Sequence, residues 1–512
     1  MRASEEVVSS RGPGAAGRDP GASRDGQSGR GTKGSRRGKQ GGQSGRGAGR
    51  EAERGGEGLT PLNAWAQLLT GRLGDPRFSG GSGAQAEAVR VWRCDTLRLH
   101  PTPEQELLLR RAGDAVARMI NMENYRRRQL FFEEGRIDKS WRSAWERRRG
   151  EYADIYRLLG SRNFHEVCRV ISEQWRSFAE LLKAMKKGRL EPWQIVHPPG
   201  YRKQDGQRLP IIFVRFDDYK VDPERRVLRL KYWNVELRFT GKLRWHARPG
   251  AKQGRLVIVY DPVRRKWYAK VGVEVLLQRS STPGLKAGVD LGREILAAVA
   301  IEDGMALLYR AAAVKSDYYY FERRISEVDR TLSDPRSEEM DRAVLWERRR
   351  WLYNRRRRDH IFANVAAHLA KTLRARGVGV VFVGYPRGIA QERAGKGNSN
   401  MWGYWKLIMR LAVTLENHGI AAFAVSEDGT SSTCARHGCK VARRPRGLVW
   451  CPHGHVAHAD LNAALNILAR GLSALGLTAE PPARVKVLSF LPTPSRVIEP
   501  RKKNHNPALK AG

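Results

Sequence analysis

Three groups of residues in this chain have the types and spacing to do chemistry. The first is Asp290, in Ala287-Gly288-Val289-Asp290-Leu291-Gly292, a lone carboxylate in an apolar run. Burying it unpaired would cost several kcal/mol, so a bound cation is the economical expectation. The Gly-x-Asp-x-Gly pattern also occurs in actin-type ATPases and in ordinary turns, so Asp290 needs company to be read as a site. The second is Asp460, in Ala459-Asp460-Leu461-Asn462-Ala463-Ala464-Leu465-Asn466-Ile467-Leu468. A carboxylate there sits in the first turn of a helix and favours its positive end, which a plain helix-start residue would also do. The third is Cys434-x-x-His437, thirteen residues, then Cys451-x-x-x-His455. Two short-spaced pairs flanking a basic hairpin at 440–450 fit one tetrahedral, structural Zn²⁺ with S₂N₂ ligation. Cys439 and His453 also lie within reach and leave a different quartet open, whereas His458 is expected to face solvent.

The elements that must position these groups follow from hydrophobic period. Leu285 to Ile301 reads as a near-continuous apolar strand, and 318–376 as a long helical stretch carrying Arg348, Arg349, Arg350, Arg355, Arg356, Arg357 and Arg358. Apolar strands follow at 379–385 and 420–425, with a helix between them around Trp402 to Leu415. Strands alternating with helices imply an α/β sheet with buried central strands. An Asp on an early strand, an acid near a later strand and an Asp opening a final helix form the RNase H arrangement, in which converging carboxylates bind two Mg²⁺ ions.

Upstream, VRVWRCDTLRL alternates as a strand from Val89, and Thr102, Pro103 and Gln105 supply a cap, a first helical position and a capping box. The helix that follows leads into further basic helices with Trp141, Trp145 and Trp175, which suit either base stacking or a core. Short alternating runs across 188–280 read as a small β-barrel. Residues 1–58 are rich in Gly, Ser and Arg and too poor in apolar residues to support a core, so disorder is expected, as an RGG-like RNA-binding tail or a dispensable extension. Beyond about 472 periodic signals fade.

Composition narrows the partners. The 512 residues hold 94 Lys plus Arg against 53 Asp plus Glu, a formal charge of +41, and the first 58 contribute only 12 basic against 7 acidic. Such a body repels itself without a polyanion, and nucleic acid is the expected one. No apolar run approaches the ~20 residues of a membrane helix, and the N-terminus lacks a signal-peptide core. Five cysteines, three of them within 434–451, argue for a metal cluster in a reducing compartment and against a disulfide framework. The expected location is cytoplasmic and nucleoid-associated.

Taken in order, GVDLG, an Arg-rich helix, VVFVGYPRGIAQE, GNSNMWGYW, AVSEDGTSSTC, the two Cys/His pairs and HADLNAALNIL resemble the RuvC-I, RuvC-II, zinc-ribbon and RuvC-III segments of the TnpB and Cas12 family over about 285–470. Residues 89–280 are similar more loosely, in layout. The resemblance implies a multidomain α/β plus β-barrel protein: a β-barrel at 89–100 and 188–280, a helical recognition lobe at 101–187, an RNase H-like (RuvC) core at 284–433 and 456–470 with a zinc ribbon inserted at 434–455, and a C-terminal tail at 471–512. It implies an RNA-guided DNA endonuclease using Mg²⁺ or Mn²⁺, with a guide RNA from the transposon end and double-stranded target DNA as partners. The seven arginines would then contact phosphates.

There is one departure. The family carries its second catalytic acid on the strand before the middle helix, in a sequence like V-I-E-D-L, where this chain has Val383-Gly384-Tyr385. Glu427 stands just after the next strand, and adjacent strands are ~4.8 Å apart, so an acid displaced by one strand can reach the same metal. The expectation is therefore a rearranged site of Asp290, Glu427 and Asp460. The alternative is a DNA-binding, repressor-like protein that has lost cleavage.

Overall fold

The computed structural model describes residues 60–61, 88–188, 190, 195–204, 207–278, 284–336, 339–355, 357–385, 403–443, 445, 447–478, 482 and 484–499. The expected N-terminal tail, the 280–283 linker, the whole segment 386–402 and Arg356 lie outside the described residues. Among those described, no helix is long and apolar enough to cross a membrane.

The N-terminal half combines a curled sheet with helices. Strands β1 (Thr60–Pro61) and β2 (Ala88–His100) precede helices α1 (Pro103–Glu134), α2 (Arg142–Glu146) and α3 (Ala153–Lys186). The capping box forms as its sequence requires: Gln105 N–H donates to Thr102 Oγ1 at 3.4 Å, and Thr102 N–H to Gln105 Oε1 at 3.0 Å. After a short hairpin, β3 (Lys203–Gln204) and β4 (Gln207–Arg208), come β5 (Ile211–Val214), β6 (Tyr219–Asp222), β7 (Val227–Leu230), β8 (Val235–Thr240), β9 (Lys252–Asp261) and β10 (Lys266–Gln278). Seven of these strands form one antiparallel sheet in the order β5-β9-β10-β2-β8-β7-β6. Its two edges, β5 and β6, are consecutive in the chain and joined by only residues 215–218, so the sheet curls and brings its edges close without pairing them. Tyr219 on one edge donates its hydroxyl to Gly254 O at 2.7 Å, and Gln253 donates to Phe216 O at 2.6 Å, bridging the gap. The result is nearly a closed barrel, with no ladder between β5 and β6.

The tryptophans of the helices belong to the core. Trp175 is fully buried, and Trp141 and Trp145 pack edge-on against His165 at 4.6 and 5.5 Å. Burial of the whole indole outweighs any stacking role for Trp175.

The second half is built on an eight-stranded mixed sheet. The stretch read as one strand is two, β11 (Leu285–Asp290) and β12 (Ile295–Ile301), because Leu291 to Glu294 turn the chain back; β13 (Met305–Arg310) completes an antiparallel meander. The signal for that turn is Gly292-Arg293-Glu294, a glycine and two charged residues between two apolar runs, which the expectation of a single strand overlooked. The long helical stretch is likewise three helices, α4 (Ala312–Leu332), α5 (Glu339–Arg355) and α6 (Arg358–Ala375). Then come β14 (Val378–Tyr385), α7 (Tyr404–Asn417), β15 (Ala421–Ser426), the small hairpin β16 (Leu448–Trp450) and β17 (Val456–His458), α8 (Ala459–Ala474), β18 (Lys486–Pro492) and β19 (Val497–Ile498). The sheet runs β1-β15-β14-β11-β12-β13-β18-β19, with β11, β14 and β15 mutually parallel. The expected tail from 471 contains ordered elements among its described residues: α8 continues to Ala474, and β18 extends the sheet by pairing in parallel with β13.

One face of this sheet is covered by α4, α6 and α7 around Phe362, Leu369, Leu407 and Leu411, and the other by α8 through Leu461, Ala464, Ile467 and Leu468.

Candidate active site

Three parallel strands deliver their carboxyl ends to the same edge of the sheet. Asp290 ends β11, Gly384 stands near the end of β14 opposite Val425, and Glu427 follows β15 directly. Helix α8 lies across these strands because β11 offers no side chain at its centre. A β-carbon on Gly288 would meet Ala464 O at 2.3 Å and Leu468 N at 2.6 Å, so only glycine lets the helix backbone rest on the strand. That close approach brings Asp460, in the first turn of α8, beside the end of β11.

Glu427 occupies the volume that a side chain at position 384 would fill. A β-carbon on Gly384 would lie 3.3 Å from Glu427 Oε2 and 2.4 Å from Ile467 Cδ1. Glu427 Oε2 is buried without a hydrogen-bond partner, an expensive state for a carboxylate oxygen unless a cation meets it. Burial, followed by the charge of Asp428, pushes the Glu427 carboxyl up to about 7. Asp290 is raised well above the carboxylate range, first by burial and then by the negative charges of Glu427 and Asp460, with Arg443 opposing. Asp460 is raised by burial, with His458 and Arg443 acting the other way. Three half-buried carboxylates, two of which raise the proton affinity of the third, Asp290, form a donor set that fits divalent cations. They converge without closing fully: among the described residues, no group of three carboxylates has its oxygens all within 4.8 Å.

The loop bearing Glu427 is gripped by one face of α8. Residues four apart on a helix share a face, and Asn462, Asn466 and Arg470 use it to hold the chain from Ser426 to Ala435. Asn462 donates to Thr433 O at 2.7 Å and accepts from Ala435 N–H at 2.9 Å. Asn466 donates to Thr430 O at 2.7 Å, and Arg470 to Ser426 O at 2.9 Å and Asp428 O at 2.5 Å. Sequence reasoning missed these three, although their Asn-x-x-x-Asn-x-x-x-Arg spacing was the signal. It also missed Arg443, which the basic hairpin brings to the carboxylates. The expectation that His458 faces solvent fails: the residue is half-buried, and its Nδ1 is enclosed with no partner, because β17 runs directly into α8 beside Asp460.

The Cys/His segment folds between β15 and α8 and brings its donors together. Cys434 Sγ lies 3.3 Å from His455 Nδ1 and 3.8 Å from His437 Nδ1, and His437 Nδ1 lies 3.2 Å from Cys451 Sγ. These spacings are of the size found between donor atoms around one metal ion, although among the described residues the donors fall into two overlapping groups of three, Cys434 with His437 and His455 and Cys434 with Cys439 and Cys451. Cys439 joins them, its sulfur 3.1 Å from Cys451 Sγ, whereas His453 is in neither candidate ligand group. All five cysteines are free of disulfides.

The arginine run is divided in purpose. Arg349 donates to Asp329 at 2.5 Å and ties α5 to α4, and Arg357 donates to the buried Asp317 at 2.9 Å and ties α6 to α4. Arg358 borders Gly403 and Phe362, and Arg350 is half-buried. Arg348 and Arg355 are exposed, Arg355 over the ring of Trp351 at 4.6 Å.

A family model, OrfB_IS605, described as "Probable transposase", matches residues 262–390, and a second, "Cas12f1-like, TNB domain", matches 404–467. The chain is 37% identical over 435 residues to "TnpB-like protein ORF457" of Acidianus two-tailed virus, covering 79% of this chain and 91% of that protein. Among solved structures it is similar to one titled "Cryo-EM structure of the Cas12f1-sgRNA-target DNA complex", at 16% identity and a TM-score of 0.44, covering 70% of this chain and 81% of that one. Another, "Structure of the mini-RNA-guided endonuclease CRISPR-Cas_phi3", is 11% identical with a TM-score of 0.37, covering 85% and 99%. With a relative this similar over nearly its whole length, the chain belongs to the TnpB family.

Proposed function

We propose that this protein is a transposon-associated, RNA-guided DNA endonuclease whose RuvC-like centre consists of Asp290, Glu427 and Asp460. The observation that carries the reading is Glu427 Oε2, a buried oxygen without a partner, lying against the bare Gly384 on the side of Asp290, whose carboxyl feels the charges of both Glu427 and Asp460. In this reading the eight-stranded sheet with α8 is the RNase H-like core, the segment 434–455 a structural zinc ribbon, and the curled sheet with α1 to α3 the guide-binding and recognition part.

The three carboxylates would hold Mg²⁺ or Mn²⁺, which when bound activates water and stabilises the departing oxygen of a phosphodiester. Asp290 and Asp460 hold their positions through the contact of α8 with β11, and the Asn462, Asn466 and Arg470 row fixes Glu427 from behind. Arg443 and His458 offset part of the negative charge beside Asp290 and Asp460. The family membership supports the guided-nuclease reading, and the net charge of +41 suits a chain that holds nucleic-acid backbones.

A second reading, guided DNA binding without cleavage, draws on Gly384 and on the incomplete closure of the carboxylates. One experiment separates the two. RNA co-purifying with the protein is sequenced, and DNA complementary to its guide is offered with Mg²⁺ or Mn²⁺. Cutting by the wild type, abolished in Glu427→Gln with target binding nearly intact, is the expected result. Target binding without cutting by the wild type favours the second reading, and cutting by Glu427→Gln at the wild-type rate removes Glu427 from the centre.

A further inference from the structure

The Cys/His cluster offers five donors where a structural zinc site takes four. Bonds of ~2.3 Å to sulfur and ~2.0 Å to nitrogen set the ligand atoms of a tetrahedral site roughly 3.3–3.8 Å apart. Cys434, Cys439 and Cys451 have all three sulfurs within 4.8 Å of one another, and His455 Nδ1 reaches Cys434 Sγ at 3.3 Å. The backbone commits Cys439 to this point: Cys434 N–H donates to Cys439 O at 2.8 Å, and Thr433 bridges Lys440, so the returning strand turns the Cys439 sulfur to within 3.1 Å of Cys451. Cys451 Sγ also accepts the N–H of His453 at 3.4 Å, a bond that favours a thiolate. Cys434 and Cys451 are buried and Cys439 and His455 half-buried, while His437 is exposed. We propose that the ligand set is Cys434, Cys439, Cys451 and His455, with Cys439 in the place expected for His437. This rests on the reading of the cluster as a zinc site.

The test uses the zinc-loaded wild-type chain. Cys439 should resist maleimide until a chelator strips the metal, as read by peptide mass spectrometry. In cobalt-substituted protein, Cys439→Ser should lower the thiolate-to-cobalt charge-transfer band by about a third, as expected for the loss of one thiolate in three, while His437→Ala leaves the band and the metal content unchanged. Alkylation of Cys439 with zinc retained, or loss of zinc in His437→Ala, would overturn the assignment. Freshly purified wild type containing no zinc would overturn the zinc reading itself, and the assignment with it.

A separate observation concerns the face between the curled sheet and α5, which enclose a cleft of about 670 Å³. One wall presents Tyr260 with the Arg110 guanidinium 4.5 Å over its ring, beside Arg208; the other presents Trp346, 51% exposed, and Arg350. Arg110 and Arg208 are steadied by Glu106 at 2.5 Å and Asp114 at 2.6 Å, so their positions are fixed in advance. Aromatic faces and planar guanidinium groups around one space recognise a flat, anion-bearing group, and a nucleotide supplies both parts. We infer that this cleft receives an unpaired nucleotide of a bound strand, its base against Trp346 or Tyr260 and its phosphate toward Arg208 and Arg350. The inference rests on nucleic-acid binding and is independent of cleavage.

Full-length protein would be photocrosslinked to single strands of RNA carrying 4-thiouridine and of DNA carrying 5-iododeoxyuridine. Crosslinks should fall on Trp346 or Tyr260, with the RNA arm pointing to the guide and the DNA arm to a displaced strand. Trp346→Ala should weaken binding of the crosslinking strand about tenfold, the scale of one lost stack, without altering the salt dependence set by phosphate contacts. Binding of both strands with no crosslink there and no effect of Trp346→Ala or Tyr260→Ala would overturn the inference. Failure to bind either strand at low salt would overturn the nucleic-acid reading as well.

Discussion

Glu427 and Asp428 are neighbours with opposite fates. Glu427 turns into the protein beside Gly384, while Asp428 is exposed and accepts from Ser426 Oγ at 3.1 Å. Because burial raises the Glu427 carboxyl from 4.5 to about 7, the metal-free folded state binds its proton more tightly than the unfolded state does. The stability this contributes is fully present below about pH 4.5 and is lost as pH rises through 7. Glu427→Gln cannot ionise, so in metal-free protein its melting temperature should gain on that of the wild type as pH rises from 5 to 8. A constant difference across that range would show that the carboxyl is not buried as described. Asp428→Asn should leave both stability and cutting close to wild type.

At the scale of elements, the centre depends on how closely α8 lies on β11. Gly288→Ala would put a methyl group 2.3 Å from Ala464 O, and backbone atoms on both sides leave it nowhere to move. Overpacking of this kind costs roughly 1–3 kcal/mol, and it should displace Asp460 from Asp290 and abolish cutting. Thermal melting with a cleavage assay checks both effects. Restoring the family's usual acid with Gly384→Glu should fail to restore the usual site, since the position is already taken by Ile467 and Glu427. Improved cleavage in that variant would contradict the packing described. Asn466→Ala removes two bonds to the Glu427 loop, to Thr430 O at 2.7 Å and Thr433 O at 2.8 Å, and should speed hydrogen exchange over 427–434.

For the whole molecule, the two halves are joined in part by Arg93 on β2, which donates to Asn417 at 2.7 Å and Glu416 at 2.5 Å at the end of α7. In the proposed reading the basic charge has two duties, which salt titration can separate. Arg348→Ala and Arg355→Ala should each weaken nucleic-acid binding and reduce the slope of log affinity against log salt by about 1. Arg357→Ala should instead lower thermal stability by roughly 1–3 kcal/mol, because it leaves the buried Asp317 without its charged partner. Equal slopes in the first two variants and the wild type would remove them from the phosphate-contacting surface.

Much was legible in the residues alone. Local patterns are short-range facts, so the Thr102 capping box, the strands before and after α7, the start of α8 at Asp460 and the gathering of Cys434, His437, Cys451 and His455 could all be read from spacing. The turn within 291–294 left a signal in Gly292-Arg293-Glu294, but the antiparallel pairing it creates could not be read from the residues. Nor could the pairing of β18 with β13, which depends on a partner 181 residues away in the register of Met305 with Lys486. The arginine run carried no sign of which members would meet Asp317 and Asp329, since that depends on how three helices pack. Glu427 is the clearest division between the two levels. The sequence by itself determined that position 384 lacks an acid and that one stands just beyond the next strand. Only the tertiary structure decided that the parallel pairing of β14 with β15, the bare Cα of Gly384 and the side chain of Ile467 together leave one space, and that the Glu427 carboxylate fills it.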